Sequence, residues 1–319
     1  MQIKEIENAA SKEKKVVDFS AYIKTVSKES TTKGDPYLKL TLQDKTGEII
    51  LNKWNSTQAD EAILRVGNVV AFSKVVASEY AGKVSLKTDA HSTFNETGES
   101  VDGYKLSIVP DGKELYSRFI EHYSSIKNPE LQIVMTEIIK PNINEFKIYP
   151  AAERIHHAEK YGLLFHTVGM LDKITALQPL TGGNLELMKV AIMLHDLFKI
   201  KEYTLDEECN GTIGPDALEG HIVLCSQAIA HLYFEGKISA ELKRVLSHCV
   251  LSHHGKIEYG SPVRPAIKEA YLISVIDDMD AKLYTYDLED LKLEPGEMQK
   301  KGTFHLDNAR LYKTTWSKF

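Results

Sequence analysis

An adjacent histidine and aspartate, His195-Asp196, lie within an apolar run from Ala191 to Phe198, and Lys199 follows directly. Apolar residues on all sides predict a buried helix, in which an imidazole and a carboxylate are costly unless a partner offsets their loss of water. A divalent metal is such a partner, because it takes both side chains as ligands and keeps the aspartate ionised. On a helix, Lys199 falls one turn beyond the pair and could reach a phosphate bound at that metal. The alternative is a satisfied His-Asp pair without metal, with Lys199 extended to solvent.

Further histidines and carboxylates recur among apolar residues in the second half of the chain, which favours the metal. They are His156, His157, His166, His221, His248, His253, His254 and Asp277. Imidazole and carboxylate ligands without thiolates suit Mn, Fe, Co, Ni or Zn and argue against a calcium site. Because Cys209, Cys225 and Cys249 show no CxxC spacing, a cysteine-based zinc site is not expected.

The N-terminal part of the chain predicts a different kind of element, because its apolar residues alternate with period two. Strands are predicted at residues 16–23, 37–42, 48–54, 67–73 and 83–87, with turns at residues 34–36 and 44–47 and a short helix at residues 57–64. Five strands interrupted by one helix are typical of the OB-fold, a small all-β barrel. Residues 1–15 are polar and are expected to form a frayed start or a first strand.

Aromatic and basic residues are interleaved along these predicted strands. OB barrels hold single-stranded nucleic acid with an aromatic platform and a basic groove. We expect Tyr37, Lys39, Lys53 and Trp54 to contact nucleic acid, and Tyr22 and Tyr80 are further aromatic candidates. The alternative is that the aromatic rings belong to the barrel core and the lysines to an ordinary solvated surface.

The remaining chain predicts a linker and a helical domain. Residues 93–112 are polar with few apolar positions, as in a linker. From Lys113 the apolar period is helical, and everything after Ala151 is predicted to be helix except a loop from Thr204 to Pro215. The predicted organisation is multidomain: an OB-fold at residues 1–92, a linker at 93–112 and an all-α domain at 113–319.

Composition narrows the partners and the compartment. The net charge is −6, so contact with nucleic acid requires a local basic patch rather than an overall positive charge. No apolar stretch approaches the roughly 20 residues that span a bilayer, and the N-terminus lacks the apolar core of a signal peptide. An odd number of scattered cysteines fits reduced thiols. These features predict a cytoplasmic protein without a membrane partner.

At this point the residues carry a family resemblance. The order His166, His195-Asp196, Asp277 resembles the HD superfamily of helical metal-dependent phosphohydrolases, and the additional His221 and His253-His254 resemble its two-metal branch. Segments around the histidines, with the predicted OB-fold, resemble the YhaM-type 3′→5′ exoribonucleases, which join an OB domain to an HD domain. These segments are Pro150-Ala151-Ala152, Gly162-Leu163-Leu164, Gly220-His221-Ile222 and Leu251-Ser252-His253-His254-Gly255. The chain departs from the family at Phe198, where glycine is usual, and at Tyr161 and Phe165.

The resemblance implies a metal-dependent 3′→5′ exoribonuclease that releases nucleoside 5′-monophosphates from single-stranded RNA, with single-stranded DNA as a further substrate and self-association into a homo-oligomer. It implies two divalent ions, with manganese as the first expectation. One ion would be held by His166, His195 and Asp277, the other by His221, His253 and His254, and Asp196 would bridge them. Asp196 and Lys199 are the expected catalytic residues, because two metals clamp a phosphodiester and Lys199 would steady its charge. His156 and His157 are expected to contact nucleic acid or to support the ligands, whereas His248 is expected to be structural or supporting.

Two other functions remain open on the sequence. An HD hydrolase of small nucleotides, such as a cyclic dinucleotide or a nucleoside polyphosphate, would not need the strand-tracking groove of an OB-fold. A non-catalytic single-strand-binding protein with a structural metal would need neither Lys199 nor more ligands than a closed four-ligand site.

Overall fold

The computed structural model describes residues 1–10, 13–31, 34–80, 83–105, 107–152, 157–205 and 211–316. The chain divides into two compact units. The N-terminal unit contains Met1–Ser107, Leu288–Gln299 and Tyr312–Phe319, and the helical unit contains Ile108–Asp287 and Lys300–Leu311. Within the described ranges, no helix combines the length and apolar character needed to cross a membrane.

The N-terminal unit is built on a twisted sheet whose strands pair in a circle. Its elements are α1 Ile3–Ala10, β1 Lys15–Ser30, β2 Pro36–Asp44, β3 Gly47–Trp54, α2 Gln58–Ile63, β4 Val69–Tyr80, β5 Lys83–Lys87 and β6 Thr93–Glu96. The strand order is β1-β2-β3-β5-β4, and β1 pairs with β4 as well as with β2. A ring of five strands with a helix between the third and fourth is the predicted OB-fold, and β6 extends it by pairing with β4.

Period-two alternation separates the two faces of these strands. On β2, Leu38, Leu40 and Leu42 are buried in the barrel core, whereas the alternating positions Tyr37 and Lys39 are only partly buried. The opposite face of the strand is therefore free to carry polar and aromatic groups.

The expectation of a frayed start or first strand at residues 1–15 is wrong for Ile3–Ala10, which form α1. The helix is amphipathic, with Ile3, Ile6 and Ala10 buried against the barrel core. Asp44 accepts the backbone N–H of Ile3 and Thr46 accepts that of Lys4, which satisfies free donors at the helix start.

The helical unit packs its helices around one apolar core. Its elements are α3 Gly112–Ser124, α4 Pro129–Val134, α5 Lys140–Ile148, α6 Gly162–Thr181, α7 Leu185–His195, α8 Lys199–Glu202, β7 Tyr203–Leu205, β8 Gly211–Ile213, α9 His221–Phe234, α10 Ala240–Leu251 and α11 Lys268–Leu291. The predicted helical domain is therefore confirmed for the segments that carry the predicted metal ligands. The predicted loop at residues 204–215 instead contains the antiparallel β7–β8 pair.

Candidate metal centre and nucleic-acid interface

The His195-Asp196 pair lies at the buried C-terminal end of α7. Asn184 caps the start of this helix through the N–H of Leu187 at 3.0 Å, and every residue from Leu187 to His195 is buried. His195 Nδ1 lies 2.7 Å from the carbonyl oxygen of Ile192. Carbonyls of a last helical turn lack helical partners and can only accept a hydrogen bond, so Nδ1 carries the hydrogen. His195 Nε2 is left with a bare lone pair.

A first group of ligand atoms forms around that nitrogen from α6, α7 and α11. His195 Nε2 lies 3.2 Å from His166 Nε2, which lies 3.2 Å from Asp277 Oδ1. His166 Nδ1 lies 2.7 Å from Asp280 Oδ2, so His166 also turns its Nε2 to the group. Burial lowers the pKa of His166, but its bonds to Asp277 and Asp280 outweigh burial and raise the pKa to about 10. The group therefore attracts a cation, either a proton or a metal.

A second group combines one carboxylate with three imidazoles. The ligand atoms of Asp196, His221, His253 and His254 lie within 4.8 Å of one another. His253 Nδ1 lies 2.7 Å from the carbonyl oxygen of Val250, and His221 Nδ1 lies 3.0 Å from Glu202 Oε2. Both rings thus direct Nε2 at Asp196 Oδ1, at 3.7 Å and 3.1 Å respectively.

Unsatisfied polar atoms make this second group compatible with a bound divalent metal. Asp196 Oδ1, His221 Nε2, His253 Nε2 and His254 Nδ1 are buried and have no hydrogen-bond partner among the described residues. Buried polar groups in native proteins are almost always paired, and a lost partner costs about 1–3 kcal/mol per group. Converging lone pairs on three imidazoles and a carboxylate fit a divalent cation. The donor set therefore suits the metal that the sequence predicts.

Asp196 lies between the two groups. Its Oδ1 faces His221 as described, and its Oδ2 lies 3.4 Å from His195 Nε2. Lys199 Nζ donates to Asp196 Oδ2 at 2.6 Å and to the carbonyl oxygen of Ala151 at 2.7 Å. Burial alone would raise the pKa of Asp196, but the adjacent ammonium group of Lys199 opposes burial, and the pKa is held well below its usual range. An ionised carboxylate with one oxygen toward each group has the geometry of a bridging ligand.

A third cluster supports the first group. His157 Nε2 lies 3.1 Å from Asp280 Oδ2, which also accepts from His166. His157 is 2% exposed, so burial favours support of the ligands over contact with nucleic acid for this residue. His156 lies outside the described residues. His248 accepts the backbone N–H of Ala266 at 2.8 Å, a structural contact away from both groups.

The predicted nucleic-acid residues of the N-terminal unit divide between two faces. Tyr37 and Trp54 are cross-strand partners with ring centroids 4.5 Å apart, and Lys39 lies on the same face as Tyr37. Lys53 lies on the other face, 3.2 Å from Asp60 on α2, so it does not join the aromatic pair. Of the other aromatic candidates, Tyr22 is buried and Tyr80 is exposed.

Two carboxylates outside the predicted ligand set support the ligands. Glu202 accepts both the ring Nδ1–H and the backbone N–H of His221, and Asp280 holds His166. Glu202 carried no motif signal in the sequence. The spacing of Asp280, one helical turn after Asp277, could have indicated that both point to the same face.

Comparisons with known proteins agree with this architecture. Residues 163–282 match the HD domain family. The 3′-5′ exoribonuclease YhaM of Bacillus subtilis (strain 168) is 32% identical over 306 residues, which cover 95% of this chain and 96% of the relative. The protein of the same name from Geobacillus sp. (strain WCH70) is 34% identical over 309 residues, which cover 94% of this chain and 93% of the relative.

Among solved structures, the OB domain of the Methanosarcina mazei protein MM0293 aligns with a TM-score of 0.25 and 19% identity. The alignment covers 30% of this chain and 82% of that domain.

Proposed function

The chain belongs to the YhaM family of 3′-5′ exoribonucleases, and from this premise we propose that it removes nucleotides from the 3′ end of single-stranded RNA at the Asp196 centre. The observation that carries the proposal is the pair of ligand groups on either side of Asp196, with buried lone pairs that converge on common points. Two relatives called 3′-5′ exoribonuclease YhaM align with nearly the full length of this chain.

The ligands in this proposal are the seven side chains of the two groups. His166, His195 and Asp277 would hold one ion, His221, His253 and His254 the other, and Asp196 would bridge them. When bound, such a pair of ions supplies Lewis acidity to the phosphodiester and activates water for in-line attack. The donor sets contain only nitrogen and oxygen, and the buried thiol of Cys225 is directed to the carbonyl oxygen of Leu194. We propose Mn²⁺ as the resident metal, because the family resemblance points to it and carboxylate ligands suit it.

The residues around the metals would position and neutralise the substrate. Lys199 places a buried ammonium group beside Asp196, where it would stabilise charge that develops on the phosphate. Glu202 and the carbonyl oxygens of Ile192 and Val250 fix the rings of His221, His195 and His253 before substrate arrives. Preorganised groups of this kind need no rearrangement during the reaction.

Tyr37 and Trp54 would hold the RNA strand by base stacking, with Lys39 beside its backbone. Lys39 also forms an ion pair with Glu29 at 3.1 Å, so RNA would have to compete with that carboxylate. Stacking does not read the 2′-hydroxyl, so we extend the proposal to single-stranded DNA. Free buried thiols at Cys225 and Cys249 support action in the cytoplasm.

A length series of single-stranded oligonucleotides with Mn²⁺ tests this function. Stepwise shortening from the 3′ end with release of nucleoside 5′-monophosphates is expected for RNA, and the DNA series tests the extension. Activity confined to mono- and dinucleotides would move the assignment to a small-nucleotide hydrolase. Binding without cleavage would leave a single-strand-binding protein. Size-exclusion elution of the same sample tests the self-association that we retain from the family resemblance.

A further inference from the structure

Asp280 holds His166 through a network that uses both of its carboxylate oxygens. Its Oδ2 accepts from His166 Nδ1 at 2.7 Å and from His157 Nε2 at 3.1 Å. Its Oδ1 accepts from Lys173 Nζ at 2.7 Å. The carboxylate is buried on α11, one turn beyond Asp277. Burying a charge together with three polar side chains carries a large desolvation cost. The arrangement therefore indicates a role beyond stabilising the fold.

We propose that Asp280 is a positioning residue that fixes the ring of His166 and thereby sets the occupancy of one metal position, the one formed by His166, His195 and Asp277. This inference rests on the proposed two-metal function. With its Nδ1–H bound to Asp280, His166 can present only Nε2 to Asp277 and His195, each 3.2 Å away. A carboxylate behind a ligating histidine fixes its tautomer and raises its basicity.

Helix α6 is shaped to receive this carboxylate. His166, Gly169 and Lys173 follow one another at helical spacings of three and four residues, so they lie along one face. A Cβ atom at Gly169 would lie 2.3 Å from Asp280 Oδ1, so any other residue type would force the carboxylate to shift. Glycine is unfavourable in a helix interior. Its presence at position 169, between His166 and Lys173, therefore indicates that the Asp280 carboxylate must approach the helix closely.

The network is a set of hydrogen bonds rather than a third metal site. His157, His166 and Asp280 do place three ligand atoms within 4.8 Å. Both oxygens of Asp280 already have hydrogen-bond partners, which are Lys173 on Oδ1 and His166 and His157 on Oδ2. His166 also has one lone pair, which is directed at the first ligand group.

The test measures Mn²⁺ binding to the metal-free full chain by calorimetry, for the unmodified protein and for Asp280→Asn. Asp278→Asn is the matched control, because Asp278 lies on the same helix, is exposed and pairs with Lys282 at 2.9 Å. Loss of a carboxylate behind a metal ligand weakens metal binding by about 10–100-fold. For Asp280→Asn we expect this weaker binding for one of the two Mn²⁺ ions, and for the control we expect unchanged binding of both. When Co²⁺ replaces Mn²⁺, the absorption spectrum of Asp280→Asn should lose the part that comes from the same position.

Gly169→Ala provides an independent variant, because its methyl group displaces the carboxylate without altering any ligand. Alanine favours helix over glycine, so a purely structural role predicts a more stable protein with unchanged metal binding. Positioning by Asp280 predicts weaker Mn²⁺ binding at the same one of the two positions. If Asp280→Asn does not fold, Gly169→Ala alone tests the positioning role. Two ions bound at unmodified affinity in a folded variant would overturn the inference. Failure of the unmodified protein to bind two ions would instead count against the proposed function.

Discussion

Replacing Lys199 by methionine should destabilise the metal-free protein far more than the metal-loaded protein. Lys199 Nζ lies 2.6 Å from Asp196 Oδ2, and the two side chains are only 13% and 5% exposed. Removal of one partner of a buried ion pair leaves the other charge uncompensated and costs about 3–5 kcal/mol. Methionine keeps most of the apolar stem, so the charge is the main change. Bound divalent ions compensate Asp196 from its other side, so the cost should fall when metal is present.

The effect can be measured by thermal denaturation in EDTA and in saturating Mn²⁺. One kcal/mol shifts the Tm of a domain of this size by about 2–4 °C. A loss of 3–5 kcal/mol therefore predicts a decrease of roughly 6–20 °C in EDTA and a clearly smaller one with Mn²⁺. Lys201→Met is the control, because Lys201 pairs with Glu145 at the surface, where the side chains are 43% and 52% exposed. Its Tm should change by no more than about 2 °C. Equal decreases for Lys199→Met in both conditions would refute the view that cations share the charge of Asp196.

Three further measurements test the RNA-binding surface, the buried thiols and the protonation of His166. Trp54→Ala should weaken single-stranded RNA binding by about 1–3 kcal/mol in a filter-binding assay, because one stacking surface is lost, whereas Trp316→Ala should bind like the unmodified protein. Burial raises the pKa of the Cys249 thiol to about 12 and also raises that of Cys225, so iodoacetamide should alkylate neither in the folded protein and both after unfolding, as mapped by mass spectrometry. The pKa of His166, raised to about 10 in the metal-free protein, means that Mn²⁺ must displace a proton at neutral pH. Mn²⁺ affinity should therefore rise about tenfold per pH unit between about pH 6 and 8, and an affinity independent of pH would contradict a protonated His166.

Most of the candidate metal ligands could be recognised in the sequence because they lie within or beside apolar runs. His195-Asp196 and His253-His254 interrupt apolar runs, and an imidazole in such a run needs a partner whatever the tertiary structure. Their grouping around Asp196 followed from the family resemblance and the chemistry of two-metal sites. The OB-fold was predictable for a related reason, since period-two alternation is a local property of each strand.

The contacts of the supporting residues could not be predicted in full, because they depend on which helices meet. Asp280 resembles an exposed carboxylate like Asp278 until α6 packs against it and offers Gly169 and Lys173. Lys53 and Trp54 are neighbours in sequence, yet the pleat of β3 places them on opposite faces of the strand. Lys53 therefore lies away from the predicted nucleic-acid surface formed by Tyr37 and Trp54.

Helix α1 was missed because eight residues are too few to show helical stability without the barrel that buries Ile3 and Ile6.

The central claim is hydrolysis at the Asp196 centre, and degradation of a 5′-labelled single-stranded RNA with added Mn²⁺ tests it most directly. The unmodified protein is compared with Asp196→Asn, which keeps the size of the side chain but removes its charge. We expect a ladder that shortens from the 3′ end for the unmodified protein and intact RNA for the variant. Intact RNA with both proteins, when bound Mn²⁺ has been verified in the unmodified one, would contradict the account, as would equal ladders from the two.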